Sequence, residues 1–362
     1  MKARSLYRAL FAVLALVLAA PATASADGGG SSSSGLRPVT TGPNYDRNPS
    51  VVRDGGRTYL FFARSRTACD RLAGCDADNS DYDLYVKVST NGGRTYGPDT
   101  LVAANPGPAT LFRGRTIAAT RRSNGQMVVF WASGANANAP LYVLEETSQG
   151  VFGAPAPMPQ FAPGVDGVFN VDAVSRGNDV FFYTEECCAA AGVYAYRYAG
   201  SALATGRTLV SANKNLPKAF VDRNGGVRLT YTDASAWPTV EVYVDSSTNG
   251  LVFGHSRKAV SEAGVGHWDP NLVFKGGVWL LFTAPDEGDG RQRIAVSASR
   301  DFIRWSTPVR LTPGSQGGVN YWDYWPEPFV DGADPQLYFT SERGIEASPP
   351  GTGHIWVFTI DD

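Results

Sequence analysis

Six copies of one β-hairpin pattern run through the 362-residue chain. In the clearest copy, residues 48–64 (NPSVVRDGGRTYLFFAR), an apolar strand leads through a turn at Asp54-Gly55-Gly56 into a second strand that ends in aromatic residues. The weaker copies occupy residues 116–133, 171–185, 217–233, 269–284 and 327–341. Their closing aromatic residues, which lie 48 to 69 residues apart, are Phe62, Trp131, Tyr183, Tyr231, Phe282 and Phe339. A repeat of about 50 residues filled with short strands is typical of the blades of a β-propeller.

A third strand with alternating apolar and polar residues follows each hairpin, and an outer strand follows five of the six. The third strands are predicted at 82–89, 140–146, 192–198, 240–246, 293–299 and 354–360, and the outer strands at 100–104, 154–159, 208–212, 256–260 and 309–312. The sixth copy runs into the C-terminus, so residues 36–41 (LRPVTT) are expected to supply its outer strand. The sequence therefore predicts an all-β, six-bladed β-propeller that is closed by pairing of this N-terminal strand with the last blade.

The N-terminus predicts export. Residues 1–26 combine three cations, an apolar run over 9–19 and a small-residue end at Ala24-Ser25-Ala26, which is the pattern of a secretory signal peptide. Residues 27–35 (DGGGSSSSG) form a Gly/Ser linker, and residues 36–362 form a single β-propeller domain. We expect a secreted, extracellular protein.

Charge narrows the class of partner. Loss of Lys2, Arg4 and Arg8 with the signal peptide changes the formal net charge from −2 to −5. A net negative protein is a poor ligand for nucleic acid or for an anionic membrane. We therefore expect neither partner, and we expect a monomer.

Two kinds of motif carry a family resemblance. Asp46-Arg47-Asn48-Pro49 before the first hairpin resembles the Arg-x-Pro entry of sialidase first blades, and residues 89–96 (STNGGRTY) resemble their Asp box, with Asn91 and Tyr96 in place of Asp and Trp. Shorter versions of the box stand at 299–305 and 247–253. The Asp-Pro strand and the Trp305 turn of the fifth repeat also resemble arabinanase and xylosidase propellers. The resemblance covers nearly all of the mature chain and is to this superfamily rather than to a single family.

The resemblance implies that the ligand binds at the face where the inner strands begin. A residue before proline recurs there as Asn48, Asp269 and Glu327, so carboxylates from neighbouring blades are expected to face the channel. Two carboxylates are the minimum equipment for glycoside hydrolysis, and Glu185 is a third candidate. Alternatively, these carboxylates cap strand ends or pair with arginines.

Aromatic residues crowd the loop before the sixth inner strand. Large rings stack on the apolar faces of sugars, so this loop and Trp268 predict a glycan platform, with packing of the rings beneath the loop as the alternative. The predicted substrate-binding residues are Arg47, Asn48, Arg64, Trp268, Tyr321, Trp322, Tyr324, Trp325, Glu342 and Arg343.

The cysteines and one acidic loop suggest further bonds. Cys69 and Cys75 are close enough in sequence to form a disulfide, whereas the adjacent Cys187 and Cys188 form either a vicinal disulfide or two free thiols. Oxygen ligands at Asp76, Asp78 and Ser80 suggest a weak Ca²⁺ site, although a solvated acidic loop is the simpler interpretation. No zinc motif is present and no other cofactor is predicted.

These observations favour a glycoside hydrolase that acts on an extracellular oligo- or polysaccharide, with Asp269, Glu327 and Glu185 as its acid and base or nucleophile. In a sialidase the resemblance implies three arginines around the substrate carboxylate, but the inner-strand starts of the last three repeats carry none, which argues against sialic acid. The alternatives are a non-catalytic glycan-binding propeller and a polysaccharide lyase with His267 or Tyr324 as base.

Overall fold

The computed structural model describes residues 35–78, 80–107, 113–132, 140–161, 167–186, 191–316, 318–330, 335–345 and 350–360. The predicted signal peptide, residues 27–34, and Cys187 and Cys188 lie outside these ranges. The described residues form strands almost throughout, with one 3₁₀ turn at Pro159–Phe161 as their only helical segment. Within these ranges no helix has the length and apolarity that crossing a bilayer requires. The predicted all-β class is confirmed.

The strands follow the chain in groups that correspond to the sequence repeats. The first groups are β1 (Arg37–Pro38); β2 (Asn44–Asp54), β3 (Arg57–Ala68), β4 (Tyr82–Ser89) and β5 (Thr100–Ala103); β6 (Thr116–Arg121), β7 (Met127–Ala132), β8 (Leu141–Ser148), β9 (Val151–Phe152) and β10 (Ala156–Pro157); and β11 (Val168–Arg176), β12 (Asp179–Glu186), β13 (Gly192–Gly200) and β14 (Leu203–Ala212). The later groups are β15 (Asn215–Val221), β16 (Val227–Ala236), β17 (Thr239–Ser247) and β18 (Arg257–Val260); β19 (Gly266–Lys275), β20 (Val278–Asp286), β21 (Ala295–Ser299) and β22 (Val309–Arg310); the short pair β23 (Ser315–Gln316) and β24 (Val319–Asn320); and β25 (Asp323–Phe329), β26 (Gln336–Ser341) and β27 (His354–Thr359).

Four of the repeats form separate antiparallel sheets. Their orders are β2-β3-β4-β5, β10-β8-β7-β6 with β9 on β8, β11-β12-β13-β14, and β25-β26-β27-β1. In the last sheet Arg37 and Pro38 of β1 pair with Val357 and Trp356 of β27. The six predicted blades do not all form separate sheets, because Val240 of β17 pairs in parallel with Gly266 of β19 and joins two repeats into one eight-stranded sheet.

The first strands of the repeats line the centre of the molecule. They contact one another in the order β2, β6, β11, β15, β19 and β25, and β25 contacts β2. Apolar side chains fill the space between successive sheets; for example, the rings of Phe130 and Phe182 stack with centroids 4.7 Å apart. This is the arrangement of a β-propeller, in which each sheet buries its faces against its neighbours.

The face opposite the inner-strand starts carries three matched Ser–Asx turns, at Ser89/Asn91, Ser247/Asn249 and Ser299/Asp301. Each turn follows a third strand. In the second turn the Ser247 hydroxyl accepts from the amide of Gly250, and Asn249 Oδ1 accepts from the amides of Leu251 and Val252. In the third turn Asp301 Oδ1 accepts from the amides of Ile303 and Arg304 in the same way. These are the turns that the Asp-box resemblance predicted, and they are built as backbone caps.

The predicted Cys69–Cys75 disulfide is present, with the Cα atoms 5.3 Å apart. It closes the loop that follows β3. The amide of Arg71 in this loop donates to the carbonyl of Gly351 at 3.0 Å, so the closed loop lies against the segment before β27.

Candidate active site at the channel mouth

A small cleft, with a cavity volume of about 20 Å³, opens where the inner strands begin. Its lining comes from five repeats and consists of Asn48, Asn170, Val171, Leu216, Pro217, Lys218, Asp269 and Trp325. The cleft lies at the centre of the ring, because these residues belong to β2, β11, β15, β19 and β25.

A repeated backbone bulge turns side chains into this cleft. Asn48, Leu216, Asp269 and Trp325 each precede a proline and have φ angles of 49° to 53°. In all four strands the pairing register shifts at this residue. Proline disfavours the right-handed helical region for the residue before it, and a positive φ at a non-glycine residue is itself costly. The strain is thus concentrated at the cleft, where it sets the direction of four lining side chains.

The bulge also corrects the predicted equivalence of Asn48, Asp269 and Glu327. The counterpart of Asp269 in β25 is Trp325, which precedes Pro326. Glu327 stands two residues further along and pairs with Tyr338, as Asn271 pairs with Phe282 in β19. Since alternate residues of a strand share a face, Glu327 lies one layer deeper in the channel than Asp269.

Asp269 is a buried carboxyl without an ion-pair partner among the residues that the structure describes. It is 7% exposed, and its Oδ2 accepts one hydrogen bond, from the amide of Trp325 at 3.3 Å. Burial raises the pKa of Asp269 to about 7, although that amide and the charges of Arg47 and Lys218 act in the opposite direction. At neutral pH this carboxyl is therefore divided between its acid and carboxylate forms.

Below Asp269 the channel holds a bridged pair of carboxylates. Lys218 Nζ lies 3.5 Å from Asp172 Oδ1 and 3.3 Å from Glu327 Oε2, so one cation joins β11 to β25. Asn271 donates to Glu327 at 2.8 Å, and the amide of Ala219 donates to Asp172 at 2.6 Å. Burial raises the pKa of Asp172 and of Glu327, and Lys218 partly offsets both increases.

Glu185 lies directly behind the lining of the cleft. Its carboxylate accepts hydrogen bonds from Asn170 Nδ2 at 2.5 Å, Asn215 Nδ2 at 3.1 Å and the amide of Leu216 at 3.0 Å. Two of these donors belong to residues that line the cleft, so Glu185 stands at the level of the mouth. Asn170, Asn215 and Leu216 were not predicted as site residues; the Leu216-Pro217 dipeptide at an inner-strand start is the sequence signal that marks the last two.

Arg47 lies beside the cleft but is 3% exposed. Its guanidinium lies 4.0 Å from the centroid of the Trp325 ring, and its Nη1 donates to Asp78 Oδ1 at 3.1 Å. Arg115 Nη2 donates to the same oxygen at 3.0 Å. Burial opposes ionisation of Asp78, but Arg47, Arg115 and Arg71 outweigh it and lower the pKa of Asp78. Asp78 is thus bound to arginines, and the suggested Ca²⁺ site at Asp76, Asp78 and Ser80 stays a prediction.

A second polar cluster lies next to Arg47 and consists of Glu342, Tyr45, Tyr324 and Arg71. The Tyr45 hydroxyl contacts the Tyr324 hydroxyl and donates to Glu342 Oε1, and Arg71 Nη1 lies 3.3 Å from the same oxygen. Burial raises the pKa of Glu342 to about 7, with Arg71, Tyr45 and Arg47 acting against it. The cluster is sealed, since Tyr45, Tyr324 and Glu342 are all at most 5% exposed.

The predicted exposure of the rings in the loop before β25 is wrong for three of the four rings of that loop, although one of the three, Trp325, lines the cleft. Tyr321, Tyr324 and Trp325 are 3%, 5% and 9% exposed. These rings pack against arginines beneath the loop. The guanidinium of Arg343 lies 5.3 Å from the centroid of the Tyr321 ring, and the guanidinium of Arg47 lies 4.0 Å from the centroid of the Trp325 ring. Trp322 is partly exposed and is covered by Arg71 at 3.9 Å.

Two predicted binding residues are committed to ion pairs inside the blades. Arg64 makes a two-point contact with Asp46, at 2.6 and 2.8 Å, and a further contact with Asp99. Arg343 donates to Asp323 at 2.8 Å and is 6% exposed. Neither arginine belongs to the cleft lining, and each pairs with a buried aspartate that would otherwise be an uncompensated charge.

The groups required for a lyase are also engaged elsewhere. His267 is fully buried, with Nε2 2.7 Å from Glu262 and Nδ1 3.2 Å from Thr283. Burial lowers the pKa of His267. With Tyr324 sealed against Tyr45, neither proposed base reaches the cleft.

One aromatic residue on this face was missed by the sequence analysis. Trp237 stands in the two-residue turn between β16 and β17 and is 65% exposed. Its ring centroid lies 5.9 Å from that of the predicted binding residue Trp268. The Trp237-Pro238 dipeptide between two strands is the signal that marks this turn.

No family model matches the sequence, and no curated protein is similar enough to count as a relative. Solved structures do resemble the fold. A protein of unknown function from Dyadobacter fermentans DSM 18053 matches with a TM-score of 0.63 and 12% identity, over 90% of this chain and 100% of that one. A Penicillium chrysogenum α-L-arabinanase complexed with arabinobiose matches with a TM-score of 0.62 and 10% identity, over 90% and 98% of the two chains. A Hadza microbial sialidase matches with a TM-score of 0.61 and 13% identity, over 87% of this chain and 66% of that one.

At these identities the likeness concerns the fold. The chain has a β-propeller fold like that of these sialidase and arabinanase structures, as the sequence resemblance predicted, and it matches no single family.

Proposed function

We propose that the protein is a secreted glycoside hydrolase that acts on an extracellular glycan, with Asp269 as the general acid. The observation that supports this most is the state of Asp269: a buried carboxyl at the cleft, with no ion-pair partner in the described part of the chain, whose pKa burial raises to about 7. A general acid for glycosidic oxygen must hold its proton near the working pH, and a desolvated carboxyl does so.

Glu185 is proposed as the second carboxylate, which activates water or attacks the anomeric carbon. Its three N–H donors hold it in one orientation at the level of the mouth. Glu327 is proposed to contribute its negative charge from the layer below these two carboxyls, where Lys218 and Asn271 hold its carboxylate in place. In the reaction the proton of Asp269 passes to the leaving oxygen as the glycosidic bond breaks, and Glu185 compensates the positive charge that develops on the sugar ring.

The propeller is proposed to have six blades, of which the fourth and fifth share a hydrogen-bonded edge. Two observations support this count: the eight-stranded sheet consists of two antiparallel units joined at one residue pair, and six inner strands contact one another in a ring. The pairing of β1 with β27 is proposed to close that ring. Secretion rests on the signal-peptide pattern of residues 1–26.

The test is a product assay on the secreted protein with arabinans, xylans, sialylated glycans and uronate polymers. Reducing ends and ultraviolet absorbance are read together, so that hydrolysis and elimination are distinguished. Hydrolysis that is lost in Asp269→Asn and Glu185→Gln, but retained in Asp301→Asn on the opposite face, is the expected result. Asp301→Asn is a matched control because Asn already fills the same position in the other two Ser–Asx turns.

A non-catalytic glycan-binding propeller is the second candidate. The observation that favours it is that protein donors already occupy Glu185 and Glu327, as they would in a purely structural network. Glycan binding without product in the assay above, unchanged in Asp269→Asn, would establish this candidate and contradict the hydrolase.

A further inference from the structure

Trp237 and Trp268 present an indole surface at the rim of the cleft, where β17 joins β19. Trp237 is 65% exposed, more than any other large apolar side chain among the described residues. Trp268 is partly exposed, and the two rings are tilted by 42° at a centroid distance of 5.9 Å. Exposed apolar patches on soluble proteins often mark interaction sites.

The surface is held in place by bonds between two repeats. The amide of Val240 donates to the carbonyl of Val265 at 3.1 Å, and the amide of Gly264 donates to Thr239 Oγ1 at 2.9 Å. Gly266 leaves room for the second ring, since a Cβ atom there would lie 2.9 Å from Trp268 Nε1. The Trp237 turn and the start of β19 are therefore fixed relative to each other before any ligand arrives.

The position of the surface identifies its ligand. Trp268 directly precedes Asp269, the proposed acid, in the chain. The bulge that turns Asp269 into the cleft begins beside Trp268. A molecule that extends from Asp269 toward the junction of β17 and β19 reaches the two indoles. Sugar rings fit this place because their C–H faces stack on indole while their hydroxyl groups remain in water.

We propose that Trp237 and Trp268 form a stacking subsite for a sugar unit of the same glycan chain that Asp269 cleaves, so that the protein prefers oligosaccharides over single glycosides. This inference rests on the proposed function for the identity of the ligand class. It goes beyond that function by assigning a subsite outside the cleft and a preference for chain length.

The test compares Trp237→Ala with Ile303→Ala, which removes an exposed apolar side chain from the opposite face. Binding of arabino-, xylo- and galacturono-oligosaccharides of one to six units is measured by calorimetry in the Asp269→Asn background, so that no turnover interferes. Trp237→Ala is expected to weaken the binding of the longer oligosaccharides about tenfold and to leave the binding of single sugar units unchanged. Trp237→Phe should restore most of the loss, because a ring remains.

The same variants in the active protein separate this inference from the proposed function. Length-dependent binding that depends on Trp237, without any turnover in the wild type, would support the subsite and overturn the hydrolase. Turnover that depends on Asp269, with equal affinity in Trp237→Ala and Ile303→Ala, would overturn the subsite and leave the hydrolase. Absence of oligosaccharide binding in the parent would also overturn the subsite.

Discussion

The two faces of the propeller differ in the interactions that hold the chain where it reverses direction. On the face with the Ser–Asx turns, hydroxyl and carboxamide or carboxylate oxygens cap the backbone amides, as Asn249 caps Leu251 and Val252. On the mouth face, residues before proline adopt positive φ angles and buried carboxyls meet in the channel. The first face uses local hydrogen bonds to hold the fold, whereas the mouth face keeps strain and buried charge that a stable fold alone does not need.

The difference indicates where function lies. Polar groups on the Ser–Asx face can be exchanged for similar ones, as the replacement of Asp301 by Asn at the two equivalent positions illustrates. Groups at the mouth depend on one another, because Lys218 compensates two carboxylates and each bulge directs one side chain. Four predictions, the last of which is the closing measurement, test this contrast.

The largest effect on stability is expected for Lys218→Met. Removal of the cation leaves Asp172 and Glu327 buried without their shared partner, which costs about 3 to 5 kcal/mol of unfolding free energy. The pKa of both carboxyls should rise further, because Lys218 at present opposes the effect of burial. Denaturant unfolding at pH 5 and pH 8 tests this, with a larger loss expected at pH 8, where the carboxyls ionise. An equal, small loss at both pH values would show that the bridge is unimportant.

A smaller effect is expected at His354, which begins β27 on the mouth face. Both ring nitrogens are buried without a hydrogen-bond partner among the residues that the structure describes, and burial, assisted by Arg64, lowers the pKa of His354 to about 4. The unfolded chain binds this proton near pH 6.5, so His354 destabilises the fold progressively as the pH falls from about 6.5 to about 4, by roughly 3 kcal/mol in all.

Comparison of His354→Leu with the wild type isolates this contribution. The variant should lose less stability between pH 7 and pH 4, whereas His255→Leu, at an exposed site near β18, should follow the wild type. The quantity to use is the difference in unfolding free energy between variant and wild type at each pH. The raised pKa of Asp269 makes the contribution of that residue to stability change with pH in the opposite direction, and the difference removes it. Identical pH dependence in His354→Leu and the wild type would contradict the assignment.

The smallest effects are expected on the Ser–Asx face, and two substitutions separate its backbone from its side chains. Gly93 has a φ of 84°, and an added Cβ would lie 2.5 Å from the Tyr338 hydroxyl and closer still to Gln336. Gly93→Ala should therefore cost about 2 kcal/mol. Asp301→Asn should leave the melting temperature unchanged, since Asn supplies the same acceptor. Thermal melts of both variants provide the check, and a large loss in Asp301→Asn would refute the equivalence of the three turns.

The regular parts of the fold could be predicted because they depend on local patterns. Alternating apolar residues located the third strands, and the Ser–Asx turns were recognisable from Ser89 to Tyr96 because their bonds join residues close in sequence. The disulfide between Cys69 and Cys75 was predictable for the same reason. The joining of the fourth and fifth repeats was not, since it depends on one contact between Val240 and Gly266.

The site was predicted only in part, because its chemistry depends on which buried groups meet across the ring. Asp269 and Glu185 were named from their positions, but the partners of Arg64 and Arg343 decide that these arginines serve the blades. The aromatic loop was misjudged since sequence alone does not show that Arg343 packs on Tyr321. Trp237 was overlooked because its neighbour Trp268 is distant in sequence and becomes adjacent only through the shared sheet.

The most direct test of the account is a carboxyl titration. Aspartate side-chain carboxyls labelled with ¹³C are followed by NMR from pH 3 to pH 9 in the wild type and in Asp269→Asn. The account predicts a carboxyl resonance that titrates near pH 7 in the wild type and is absent from the variant. If every resonance that disappears in Asp269→Asn titrates below about pH 5, as an ordinary aspartate does, Asp269 is not held as an acid and the proposed role fails.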